Sequence, residues 1–73
     1  MKKPPLPIKN SIRALRAEKG DMTQQELADL VGVTRHTIMA IEAAKYSPSL
    51  EVAFKISSVF ELPLEQVFQY RNT

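Results

Sequence analysis

The chain has 73 residues, 44% of them hydrophobic and none of them cysteine, with a formal net charge of +2. A chain this short folds as one domain, too small to carry a separate ligand-binding or protease domain. Without cysteine its stability must come from packed helices, to which a partner subunit can add, rather than from disulfides or thiolate-bound metal. Its apolar stretches are too short to cross a bilayer, and Met1-Lys2-Lys3-Pro4-Pro5-Leu6-Pro7 lacks the apolar run of a signal peptide, so a cytoplasmic location is expected.

The first ten residues hold three prolines and three lysines, a composition that opposes helix and favours extended or polyproline-like chain. Residues 1–9 are expected to be a mobile basic arm. Asn10 or Ser11 can cap a first helix that runs to about Lys19, with Ile12 and Leu15 inward and Gly20 ending it.

Thr23-Gln24-Gln25-Glu26 is a capping box: the threonine oxygen accepts from the N–H of Glu26 while the glutamate reaches back to the N–H of Thr23. Met22 and Leu27 are placed to close a hydrophobic staple. Leu27, Ala28 and Val31 give the second helix its buried side. Gly32 supplies the left-handed end that a residue with a Cβ resists. Val33 packs inward, and Thr34 caps a third helix over residues 35–42, whose inner face carries Ile38 and Ile41.

Ser49 caps a fourth helix from Leu50 to about Phe60, in which Leu50, Ala53, Phe54, Ile56, Ser57 and Phe60 are expected to make most of the core contacts. Pro63 can start a fifth, with Leu64, Val67 and Phe68 apolar. Residues 10–70 thus read as an all-α domain of five helices, followed by a tail over residues 71–73.

A connection as short as Gly32-Val33-Thr34 holds its two helices at a steep angle, with Ala28 small enough for the second to cross close by. That is a geometry for reading DNA. The charge agrees: residues 1–48 carry eight Lys and Arg against five Asp and Glu, whereas residues 49–73 carry two against three.

The chain resembles the Xre family of lambda-repressor-like, Cro-type helix-turn-helix regulators. The resemblance spans Ile12 to Phe68 and rests on Arg16, Thr23-Gln24, Glu26-Leu27-Ala28, Gly32-Val33-Thr34, Ile38, Ile41-Glu42 and Pro48. It implies that Arg16 pairs with Glu42 in a structural role, that Gln24, Thr34 and Thr37 contact bases or backbone, and that residues 35–42 form a recognition helix in the major groove. Three departures stand out. Asp21-Met22 lengthens the usual gap between glycine and cap threonine, so this connection is expected to bulge. Ala43-Ala44 replaces a polar residue and a glycine, so the third helix is expected either to run on or to end without a left-handed cap. Glu61 stands where glycine is common, a weakened stop signal.

With Ile38 and Ile41 inward, His36, Met39, Ala40 and Ala43 face out and Arg35 lies on the flank near the first turn. Arg35 suits the O6 and N7 of guanine; a phosphate contact or simple solvation are its alternatives. Met39 and Ala40 suit thymine methyl groups or are ordinary exposed residues. His36, the single histidine, suits a polar DNA contact and has no companions for a metal or catalytic site. Thr23 and Thr34 are caps first, with any DNA contact additional. Lys45 and Tyr46 look like phosphate contacts or solvated loop residues. The arm is either a solvated tail or a reach toward the DNA backbone or minor groove.

The expected function is sequence-specific binding of double-stranded DNA as a transcriptional regulator, in particular a repressor. One recognition helix covers few base pairs, so a homodimer is expected, with Phe54, Leu64, Val67, Phe68 and Tyr70 as candidates for its contact. The rival is an antitoxin-like protein-interaction module using the same fold. No enzyme is indicated: nucleophile–base pairs, phosphate loops and metal-ligand spacings are lacking, and no cofactor or small-molecule ligand is implied.

Overall fold

The computed structural model describes residues 8–70, so residues 1–7 of the expected arm and the tail over residues 71–73 lie outside it. Its elements are β1 (Ile8–Asn10), α1 (Ile12–Glu18), α2 (Gln24–Val31), α3 (Arg35–Glu42), α4 (Leu50–Phe60), α5 (Leu64–Val67) and β2 (Phe68–Tyr70). Five helices appear where the sequence implies five, and the two short strands are a minor addition to an otherwise helical domain.

The strands are new relative to the sequence reading. Ile8 and Lys9, assigned above to the arm, pair antiparallel with the end of the chain, in the register Ile8↔Tyr70, Lys9↔Gln69 and Asn10↔Phe68. The N–H of Ser11 then donates to the carbonyl of Val67 at 2.9 Å. Extended backbone was legible from the prolines, but its partner lies at the other end of the chain and no local pattern points to it.

The helix signals operate as read. Ser11 takes the N-cap position of α1 without a side-chain cap bond, and the preceding Asn10 supplies one, its Oδ1 accepting from the N–H of Ile12 at 3.1 Å. In the capping box of α2, Thr23 Oγ1 accepts from Glu26 N–H at 3.0 Å and Glu26 Oε1 from Thr23 N–H at 2.8 Å. Gly32 is left-handed at φ 78°, and its N–H and that of Val33 both donate to the carbonyl of Ala28. Thr34 and Ser49 cap α3 and α4 through their hydroxyls.

Where the family departures fall, the backbone takes left-handed turns without glycine. Asp21 follows Gly20 into the left-handed region, and the doubled turn brings the N–H of Met22 back to the carbonyl of Arg16 at 2.9 Å. Ala44 has φ 58°, with its N–H on Ile41 and that of Lys45 on the carbonyl of Ala40, so α3 ends in a left-handed cap after all, contrary to both expected alternatives. Glu61 closes α4 in the same way at φ 56°.

Ile12, Leu27, Ile38, Ile41, Ile56 and Val67 are fully buried, so every helix sends at least one side chain to the centre. Two expected core residues do not reach it: Leu50 is 66% and Phe54 53% exposed. Ala53, Ile56, Ser57 and Phe60 use up the side of α4 that the other helices cover, and Leu50 and Phe54 stand beside that stripe. Buried Ser57 is satisfied by donating to the carbonyl of Ala53 at 3.0 Å.

Candidate nucleic-acid interface

The inner face of α3 is buried at Ile38 and Ile41, and its outer face meets water. Arg35, His36 and Ala43 are exposed, Met39 is 39% exposed, and Thr37 and Ala40 are half-buried. A helix that buries one side this fully cannot roll, so which of its residues face outward is fixed. Arg35 is exposed and has no hydrogen-bond or ion-pair partner among the described residues.

A polar linkage holds α3 against α1 and α2. Arg16 Nε donates to Glu42 Oε2 at 2.7 Å and Arg16 Nη2 to Glu42 Oε1 at 3.1 Å, a two-point pairing with both side chains largely buried. Arg16 Nη1 also donates to the carbonyl of Met22 at 2.7 Å. The pairing implied by the resemblance is thus present. Gln24 Nε2 donates to Glu42 Oε1 at 3.2 Å, a partner that sequence reasoning did not supply. Gln24 is therefore held in place before any ligand arrives.

The site residues fall into two groups along α3. Near its start, Thr23, Gln24 and Arg35 line one open depression together with Arg16 and Gln25. Gln25, which the sequence places only within the capping box, donates to Asp29 Oδ1 at 2.9 Å and is exposed. Thr34 is exposed, and its Oγ1 lies 3.1 Å from Thr37 Oγ1, so the two hydroxyls act as a coupled pair at the first turn. Past the other end of α3, Lys45 is exposed and Tyr46 is 52% exposed. Thr23 and Thr34 serve as caps, as expected of them. This face offers one exposed guanidinium fork, hydroxyls, amides, an imidazole and a small apolar strip, a mixture suited to phosphate oxygens and base edges.

Residues 12–67 match the HTH_3 family, described as helix-turn-helix. The chain is 45% identical over 65 residues to an uncharacterized HTH-type transcriptional regulator of Methanocaldococcus jannaschii, covering 89% of this chain and 97% of the relative. It is 34% identical over 64 residues to the cryptic phage CTXphi transcriptional repressor RstR of Vibrio cholerae, covering 88% of this chain and 57% of RstR. A crystal structure from Bacteroides fragilis, provisionally described as a DNA-binding protein, superposes with a TM-score of 0.74 at 27% identity, covering 85% of this chain and 98% of that one. With its capped second helix, left-handed Gly32 turn and outward third helix, the chain belongs to the HTH_3 helix-turn-helix family, in its Xre-like, Cro-type form.

Proposed function

We propose that this protein is a transcriptional regulator that binds double-stranded DNA sequence-specifically, as a repressor, with α3 in the major groove. The observation that carries this reading is α3 itself, buried on one side, tied to α1 and α2 through Glu42, and presenting Arg35, His36 and Met39 to water. Its relatives named as transcriptional regulators support it, and the repressor RstR supports the direction of the effect.

In this reading Arg35 reads guanine, Met39 and Ala40 meet thymine methyl groups, and His36, Thr34 and Thr37 make polar contacts at the first turn. Thr23 and Gln24 contact the backbone at one end of α3, Lys45 and Tyr46 at the other. The protein acts in the cytoplasm as a homodimer. Leu50, exposed beside half-buried Leu64 and Phe68, and exposed Phe54 one turn further along α4 form the apolar face for a second copy. Val67 is fully buried in the monomer and drops out of that contact.

Selection of bound duplexes from a random library tests the whole reading. The expected product is a site with two related half-sites about one helical turn apart, bound with an affinity that falls steeply with salt. Failure to enrich any sequence would overturn it. Exposed Met39, Leu50 and Phe54 also fit a protein-interaction module, and salt-insensitive capture of a protein in place of duplex would favour that second reading.

A further inference from the structure

We infer that Asn10 is a positioning residue for DNA binding: from β1 its side-chain amide holds the C-terminal end of α3 and thereby sets the course of the Lys45–Tyr46 loop. The inference rests on the DNA-binding reading above.

Asn10 uses both ends of its amide. Oδ1 accepts from the N–H of Ile12 at 3.1 Å, and Nδ2 donates to the carbonyl of Ile41 at 2.8 Å. One side chain thus joins the first N–H of α1 to one of the last carbonyls of α3, groups that helices leave without partners of their own. Its backbone is anchored by pairing with Phe68 and by the Ser11–Val67 bond that follows, so the joint has a fixed base.

The carbonyl that Asn10 grips is the one the loop depends on. Ile41 also accepts from the N–H of Ala44 at 3.0 Å, and Ala44 is left-handed at φ 58°, a conformation its Cβ opposes. The cap that launches Lys45 and Tyr46 is therefore locally unfavourable and is held from outside. Asn10 lines one tight gap with Tyr46, Ser47 and Pro48, on the inner side of the same loop. Displacing Asn10 would free the end of α3 and the direction in which Lys45 leaves it.

The test uses Asn10→Asp, which keeps an oxygen for Ile12 but has no N–H for Ile41, with Ala44→Gly to relax the opposing turn. In the free protein, amide exchange at Ala44 and Lys45 should quicken several-fold in Asn10→Asp while the amides of α2 stay protected. Affinity for the selected duplex should fall about tenfold. The slope of log affinity against log salt should become shallower by about one contact, with base preference unchanged, and Ala44→Gly should restore most of the loss. Should Asn10→Asp melt too low to measure, Glu61→Gly, at the far end of α4, supplies a stabilised background for the same comparison. Unchanged exchange at Ala44 and Lys45 would overturn the inference, as would lost affinity with an unaltered salt slope. Wild-type protein that binds no duplex would instead overturn the DNA reading, and the exchange data alone would then decide whether Asn10 sets the loop.

Discussion

Arg16 meets Glu42 through two hydrogen bonds, at 2.7 and 3.1 Å, and in doing so ties the first helix to the last turn of the third. The pair is almost out of water, with side-chain exposures of 15% and 9%, so neither charge can turn to solvent if the other is removed. Arg16→Ala should therefore destabilise the domain by about 3 kcal/mol, a large fraction of the stability of a chain this small. Replacing both by apolar residues of similar volume should cost much less. Urea unfolding of the two single variants and the double variant checks this; additive losses would mean the pairing carries no coupling.

Glu61 and Ala44 hold left-handed turns in the absence of glycine. Glycine removes the clash of the Cβ with the neighbouring carbonyl but gains freedom in the unfolded chain, and the first effect is the larger at a left-handed position. Glu61→Gly should stabilise by about 1 kcal/mol and raise the melting temperature by about 5 °C. The weak ion pair of Glu61 with Lys19, at 3.9 Å and mostly exposed, subtracts little. Thermal melting by circular dichroism decides, and a lowered midpoint would contradict the argument.

Arg35 and Lys45 should fail differently when cut to alanine. Arg35→Ala should cost about 1–3 kcal/mol on the selected operator and relax the preference at one base pair. Lys45→Ala should weaken every duplex alike and reduce the salt slope by about one. Titrations over a panel of single-base operator variants, at several salt concentrations, separate the two; uniform weakening by Arg35→Ala would assign it to phosphate.

Phe54 is 53% exposed on the outer side of α4, so a charge there changes the monomer's stability little. Phe54→Asp should nevertheless abolish self-association by placing two like charges in an apolar contact. Sedimentation equilibrium of wild type and variant, without DNA, gives the answer. A wild type that stays monomeric at high micromolar concentration would remove the homodimer from the proposal.

Much of this protein was legible from neighbouring residues alone. The Thr23–Glu26 capping box, the left-handed Gly32 and the caps at Thr34 and Ser49 are interactions over three or four residues, and periodicity identified Leu27, Ala28, Val31, Ile38 and Ile41 as buried. The Arg16–Glu42 pair was also anticipated, though only through the family resemblance. What the tertiary structure decided depends on which surfaces meet. Leu50 and Phe54 are as apolar as their buried neighbours, but α4 has only one covered side, and nothing within the helix says where that side ends. Asn10 is a local cap by its spacing from Ile12; its second bond, to Ile41, exists because β1 pairs with β2 and carries the amide to the end of α3. A short-range hydrogen bond can be written in adjacent residues, whereas a bond between chain segments far apart in sequence forms only once the packed core has brought them together.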